Sequence, residues 1–186
     1  MYPPVSIVIP WDEKSPLFIP EHDPEDEVIV VTGEKPIGIA RLEGALKAKH
    51  DWIVFTDSDA YYPPDYISKV KEKIRSGLYP NGFRTTRKGG FGMLNRYLES
   101  GLIVRKSYLL SEIGKCYIPA SNRSDIMMCG HLKSLPVLRD VWYYHGFTKG
   151  EVKTLVTIGA AATGALLTCL PLIQLISLSG TPSPSI

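Results

Sequence analysis

The 186-residue sequence predicts an α/β domain, with a mixed, mainly parallel sheet flanked by helices, followed by one C-terminal transmembrane helix. Short apolar runs typical of buried strands alternate with segments of helical periodicity, which favours a parallel sheet. Proline stands where two of these helices would begin. No charged residue follows Lys153, so the end of the chain differs sharply in composition from the rest.

The elements alternate along the first 150 residues. Proline opens the first predicted helix, at residues 36–49, and Ile39, Leu42 and Leu46 fall on one of its faces. The second begins at Pro63 or Pro64 and carries apolar residues at helical spacing as far as Ile74. The predicted strands are 5–10, 27–32, 51–56, 102–104 and 141–144.

Residues 154–178 form an uncharged, mostly apolar stretch of 25 residues, long enough to cross a bilayer. A buried core helix is the alternative, but the length favours the membrane. The predicted organisation is therefore an α/β domain at 1–150, a transmembrane helix at 154–178 and a short tail at 179–186. Ala160 and Gly164 share one face of that helix, where small residues permit self-association.

The predicted orientation follows from the lysines before the span. Lys149 and Lys153 precede it and nothing charged follows, so the positive-inside rule places the domain on the cytoplasmic side of a single-pass protein. The net charge of only +2 gives no case for a nucleic-acid partner. The basic residues are nevertheless concentrated between Lys69 and Lys106, which is either a solvated face or a surface for phosphates.

The triplet Asp57-Ser58-Asp59 directly follows the third predicted strand. Ligands of parallel sheets bind beyond the carboxyl ends of the strands. Two carboxylates there offer hard oxygen ligands to Mg²⁺ or Mn²⁺. An ordinary turn is the alternative, since Asp and Ser are common in turns. The position after a buried strand favours the metal site.

Several segments, in order, resemble family 2-type glycosyltransferases of the GT-A fold. The central stretch at 39–67, IARLEGALKAKHDWIVFTDSDAYYPPDYI, combines an arginine, a helix, a strand, a DXD-type motif and a proline-started helix. The weaker matches are VSIVIP at 5–10, EVIVVTGE at 27–34, GLIVRKSYLLSEIGK at 101–115, RSDIMMCGHLKS at 123–134 and VWYYH at 141–145.

The resemblance implies a metal-dependent transferase that moves a sugar from a UDP- or GDP-sugar, typically with inversion. Asp59 would be the main metal ligand, with Asp57 and His145 as further ligands. Asp125 would be the catalytic base, although the family often has Glu-Asp where this chain has Ser124-Asp125. The residues implied in binding the nucleotide sugar are Pro10, Asp12, Thr32, Glu34, Arg41, Asp57, Ser58 and Asp59.

Arg84, Arg87 and Lys88 precede Gly89-Gly90, so they are predicted either to contact phosphate groups of an acceptor or donor, or to occupy an exposed hairpin or loop. The predicted membrane helix favours a membrane-bound acceptor, such as a polyprenyl phosphate or a glycolipid. Two alternatives remain open at this stage. One is a non-catalytic membrane scaffold of the same fold, and the other is a sugar-1-phosphate nucleotidyltransferase.

Overall fold

The computed structural model describes residues 2–33, 36–88, 101–115 and 131–145. The predicted transmembrane helix at 154–178 and the tail at 179–186 lie outside the described residues. Within the described residues, no helix is long and apolar enough to cross a membrane.

Six strands and three α-helices make up the described part of the chain. They are β1 Ser6–Pro10, β2 Glu27–Val31, α1 Ile37–Lys47, β3 Trp52–Phe55, α2 Tyr66–Arg75, β4 Gly82–Lys88, β5 Leu102–Arg105, α3 Lys106–Ile113 and β6 Val137–Tyr144. A short 3₁₀ turn at Leu132–Ser134 precedes β6.

The strands form one mixed sheet in the order β2-β1-β3-β5-β4-β6. The pairs β1–β2, β1–β3 and β4–β6 are parallel, whereas β5 runs antiparallel to both of its neighbours. The predicted α/β class with a mixed, mainly parallel sheet is confirmed. The carboxyl ends of β1, β2 and β3 lie together at one edge, as expected for adjacent parallel strands.

Helices cover both faces of this sheet. On one face Ile7, Ile9 and Val54 belong to a buried cluster with residues of α2. On the other face Val8, Ile53 and Phe55 pack with residues of α1 and α3. Both faces of β1 and β3 are therefore buried, which explains why their sequences are continuous apolar runs.

The structure corrects the prediction for α1. Ile39 and Leu46 are 38% and 58% exposed and Leu42 is half-buried, so the predicted apolar face is not the buried one. The helix instead buries its small residues and Arg41. At Gly44 an added Cβ would overlap Val8 of β1, so only a glycine permits this close approach. Close packing of the backbone decides which face turns inward.

Three further elements differ from the prediction. β4 at Gly82–Lys88 and α3 were not predicted as a strand and a helix, and β6 begins four residues earlier than predicted. β4 carries polar residues at most positions, so it lacks the apolar pattern that marks a buried strand. Helix α2 begins at Tyr66, after a turn in which the Tyr66 N–H donates to the Pro63 carbonyl over 2.9 Å.

A buried ion pair ties α2 to the segment before β2. The Lys71 side chain is only 2% exposed, and its Nζ lies 2.7 Å from Asp26, which is fully buried. Burial opposes the charged ammonium, but the hydrogen bonds that it donates to Asp23 and Asp26 outweigh this effect and raise the pKa of Lys71. Asp26 also accepts the Val5 N–H over 2.9 Å, which anchors the start of β1.

We expect Lys71→Met to lower the free energy of unfolding by about 3 kcal/mol, because it leaves the Asp26 carboxylate buried without its cation. Lys69→Met is the matched control, since Lys69 lies on the same helix and pairs with Asp65 at the surface. It should cost less than about 0.5 kcal/mol. Urea denaturation measures both, and equal costs would contradict this role of Lys71.

Candidate active site

The loop after β3 and the end of β6 meet at one edge of the sheet. Tyr61 and Tyr144 exchange two backbone hydrogen bonds of 2.8 and 2.9 Å, which fasten the loop to β6. The His145 N–H donates to the Lys88 carbonyl over 3.0 Å, which continues the parallel pairing of β6 with β4. These contacts place His145 beside the carboxylates of Asp57 and Asp59.

Asp57, Asp59 and His145 form a compact cluster of potential metal ligands. The His145 Nε2 lies 3.2 Å from Asp57 Oδ2 and 3.3 Å from Asp59 Oδ1. One ligand atom from each residue falls within 4.8 Å of the other two. Asp57 is 13% exposed and Asp59 is 54% exposed, so the cluster opens to solvent on the side of Asp59.

Arg41 supports this cluster from α1. Its guanidinium donates to Asp57 Oδ1 over 2.5 Å, and its side chain is only 4% exposed. Asp57 therefore has one oxygen on the arginine and the other facing His145. The close approach of α1 to β1 at Gly44 delivers this buried arginine to the carboxyl edge of the sheet.

Tyr62 contacts the backbone of Asp57 from the buried side of the loop. The Asp57 N–H donates to the Tyr62 hydroxyl over 2.8 Å. Burial, followed by the charge of Asp57, raises the pKa of Tyr62 well above its usual value, so the phenol stays neutral. The ring packs against Tyr66 and Tyr143, with centroid distances of 4.8 and 5.4 Å. Asp57 thus has its backbone and its side chain fixed separately.

The two carboxylates control the protonation of His145. Hydrogen bonds to Asp57 and then Asp59 raise the pKa of His145 to about 9, against the opposing effect of burial. The imidazole is therefore protonated at neutral pH in the metal-free protein. It then acts as the cation that holds the two aspartates together.

The loop after β1 packs onto the loop that carries the aspartates. The Phe18 N–H donates to the Ser58 carbonyl over 2.9 Å, and the hydroxyls of Ser15 and Ser58 lie 3.3 Å apart. Asp12 Oδ1 accepts the N–H groups of Lys14 and Ser15 over 3.0 and 2.7 Å. Asp12, predicted as a nucleotide contact, therefore shapes its own loop.

Arg84, Arg87 and Lys88 all lie on β4, which pairs antiparallel with β5. Arg84 is 5% exposed, and its guanidinium donates to the Lys133 carbonyl over 3.3 Å. Arg87 and Lys88 lie at the carboxyl end of β4, next to His145. The Arg87 guanidinium is 3.5 Å from the His145 carbonyl oxygen.

The other predicted site residues fall into two groups. Pro10 ends β1 and Thr32 follows β2, so both lie at the carboxyl edge of the sheet. Glu34 and Asp125 lie outside the described residues and stay predictions. The sequence analysis missed the supporting roles of Ser15 and Tyr62. Tyr62 had a usable signal, since a tyrosine three residues after an Asp-X-Asp loop can reach back to that loop.

Comparison with protein families decides the assignment. The model of glycosyl transferase family 2 matches residues 18–121, more than half of the chain. The chain belongs to glycosyl transferase family 2. The predicted resemblance and the prediction of a glycosyltransferase are confirmed at the level of the family. The matched range contains Arg41, Asp57 and Asp59.

Solved structures agree with this fold. S. aureus TarS 1–349 in complex with UDP-GlcNAc shares 17% identity with this chain, with a TM-score of 0.53, over 79% of this chain and 60% of that one. The complex of TarS 1–349 with UDP gives 15% identity and a TM-score of 0.53, over 80% and 62%. This chain thus spans about three fifths of the TarS fragment. A search of curated proteins gave no match.

The raised pKa of His145 predicts a pH-dependent contribution to stability in the metal-free protein. Because the pKa is higher in the folded state, the contribution is complete below about pH 6.5 and disappears as the pH rises through about 9. We expect His145→Gln, measured in EDTA, to lose on the order of 2 kcal/mol near pH 6. The loss should be close to zero at pH 10. A loss that does not change between these pH values would contradict the assignment.

Proposed function

We propose that this chain is a metal-dependent, inverting glycosyltransferase that transfers a sugar from a UDP- or GDP-sugar to a membrane-associated acceptor. The observation that carries the proposal is the convergence of Asp57, Asp59 and His145 at the carboxyl edge of a family 2 sheet. The complexes of TarS with UDP and UDP-GlcNAc support a nucleotide-sugar donor.

The donor set fits a divalent cation. Two carboxylate oxygens and one imidazole nitrogen suit Mn²⁺, and Mg²⁺ would rely mainly on the oxygens. Asp57 and Asp59 would hold the ion with His145 as the third ligand, which requires the imidazole to be neutral. When bound, the ion neutralises charge on the departing nucleoside diphosphate.

Arg41 keeps Asp57 in place in this account. The guanidinium occupies Oδ1, so Oδ2 is the oxygen that faces the ligand cluster. Asp59 is the more exposed carboxylate, so it would face the diphosphate of the incoming nucleotide sugar. Because the carboxylates of Asp57 and Asp59 are already in position, the site needs little rearrangement during sugar transfer.

The acceptor side of the proposal depends on residues beyond the described ranges. Asp125 would accept the proton of an acceptor hydroxyl, as the resemblance implies. An acceptor phosphate would need little help from a base, because its oxygen is already ionised. The apolar stretch at 154–178 would anchor the enzyme in the membrane, with the domain on the cytoplasmic side, and concentrate it near a lipid-linked acceptor.

The direct test is release of nucleoside diphosphate from a panel of UDP- and GDP-sugars, with Mn²⁺, Mg²⁺ or EDTA, and with or without membrane lipid extract. We expect release to require the cation, and Asp59→Asn to lower it by about 10²-fold or more. Lipid extract should accelerate it if the acceptor lies in the membrane.

Asp65→Asn is the matched control for Asp59→Asn. Asp65 is 55% exposed and Asp59 is 54% exposed, but Asp65 pairs with Lys69 at the start of α2. It should retain full activity. Well-folded protein that releases no diphosphate and binds no nucleotide would overturn the proposal in favour of a scaffold. Release of pyrophosphate instead would identify a nucleotidyltransferase.

The contact between Tyr62 and Asp57 gives a second test. Removing the hydroxyl in Tyr62→Phe frees the Asp57 backbone, and we expect the affinity for Mn²⁺ to fall about tenfold. Tyr66→Phe is the control, because Tyr66 is equally buried but its hydroxyl contacts Thr85 over 3.0 Å. Each variant should cost about 1 kcal/mol of stability. Manganese titration separates them, and equal affinities would refute the positioning role of Tyr62.

A further inference from the structure

A row of aromatic side chains lies next to the aspartate and histidine cluster. Tyr61 and Tyr144 have ring centroids 6.3 Å apart, and Tyr144 and Trp142 are 4.9 Å apart in an edge-to-face arrangement. Tyr61 lies two residues after Asp59, and Tyr144 immediately precedes His145. The row therefore begins at the cluster and extends along β6.

The rings of Trp142 and Tyr144 on β6 lie outside the buried core to which Tyr143 belongs. Side chains alternate between the faces of a strand, so Trp142 and Tyr144 lie on the face opposite Tyr143. Tyr143 is 1% exposed and stacks on Tyr62. Trp142 and Tyr144 are half-buried. Within the described ranges, neither belongs to one of the two buried clusters.

Lys88 adds a positive charge to this row. Its Nζ lies 3.8 Å from the ring centroid of Trp142 and 5.9 Å from that of Tyr144, in a cation–π arrangement. The side chain is exposed, and the Lys88 carbonyl accepts the His145 N–H. Aromatic rings attract the ammonium without using up its hydrogen-bond donors. A cation–π contact therefore leaves the ammonium N–H groups able to donate to an anion.

We propose that Trp142, Tyr144 and Lys88 form the acceptor subsite, and that the acceptor carries a sugar ring next to a phosphate. The apolar face of a sugar would lie on Tyr144 and on the part of the Trp142 indole that the Lys88 ammonium does not cover, and Lys88 would bind the phosphate. This inference rests on the proposed function. Among the membrane-associated acceptors of that proposal, it favours a lipid-linked phosphorylated saccharide over a polyprenyl phosphate that carries no sugar.

The transfer step balances with this acceptor. A hydroxyl oxygen of the acceptor sugar forms a bond to the anomeric carbon of the donor. The bond from that carbon to the diphosphate breaks, and its electron pair leaves with the nucleoside diphosphate. The hydroxyl proton passes to a carboxylate base or to solvent. Lys88 binds the acceptor phosphate throughout and exchanges no proton.

Two assays on the full chain test this subsite. The first measures binding without turnover, as the change in tryptophan fluorescence on titration with hexose 1-phosphates, free hexoses or inorganic phosphate, in the presence of Mn²⁺ and UDP. The second measures transfer to hexose phosphates, lipid-linked sugar phosphates and polyprenyl phosphate. Release of diphosphate to water without any acceptor reports the donor reaction separately.

We expect hexose phosphates to bind more tightly than free hexoses or inorganic phosphate. Lys88→Gln should weaken binding of the phosphorylated sugar about tenfold and leave the free sugar unchanged. Trp142→Leu should raise the acceptor KM about tenfold for every sugar acceptor. Trp142→Phe keeps an aromatic ring, so its acceptor KM should stay close to that of the wild type. Donor KM and release to water are measured in the same variants, so that an effect on the donor reaction is separated from an effect on acceptor binding. Lys49→Gln is the charge control, because Lys49 is 80% exposed before β3 at the opposite edge of the sheet.

The inference is overturned if polyprenyl phosphate is the better acceptor. It is also overturned if Lys88→Gln binds the phosphorylated sugar as the wild type does, or if Trp142→Leu uses sugar acceptors with the wild-type KM, both variants being folded as judged by thermal melting. Loss of donor release in wild-type protein would instead count against the proposed function. In that case the fluorescence titration still tests the subsite. The wild type should show a change on addition of hexose phosphate that Trp142→Phe does not show.

Discussion

The mutual repulsion of two carboxylates at the end of β3 is the constraint on which the site depends. The carboxylates of Asp57 and Asp59 repel each other unless positive charge lies beside them. Arg41 takes one oxygen of Asp57, and protonated His145 lies between the two residues. A divalent cation would replace the proton of His145 while Arg41 stays in place. The metal-free site is therefore already arranged around a positive charge.

The packing of the fold brings these groups together from three separate parts of the chain. Gly44 lets α1 lie against β1, which carries Arg41 into the protein interior. The backbone pairing of Tyr61 with Tyr144 closes the loop after β3 onto β6 and sets the position of His145. Tyr62 supports Asp57 from the buried side. Each contact is structural, but together they define the position of the cluster.

Much of this arrangement could be predicted from local patterns. The strand before Asp57 and the prolines after Asp59 lie within a few residues of the motif, so sequence alone predicted the aspartates at the sheet edge. The inward face of α1 could not be predicted in that way. Hydrophobic periodicity predicted that Ile39 and Leu46 lie on the buried face of α1. The structure buries small residues instead, because the helix approaches the sheet so closely.

Tertiary contacts account for the other differences. β4 is polar in sequence and is not predicted as a strand, yet it gains its hydrogen bonds from β5 and β6. Lys71 looks like a surface residue on α2 and is buried only because Asp23 and Asp26 meet it. The role of Ser15 depends on a contact across 43 residues. Patterns within one element carry no information about such partners.

The most direct test of the account is to locate manganese by anomalous diffraction in crystals grown with Mn²⁺ and UDP. The account predicts one anomalous peak bounded by the carboxylates of Asp57 and Asp59 and by His145 Nε2, with the diphosphate on the Asp59 side. A peak at another position, or bound UDP with no peak at this cluster, would contradict it.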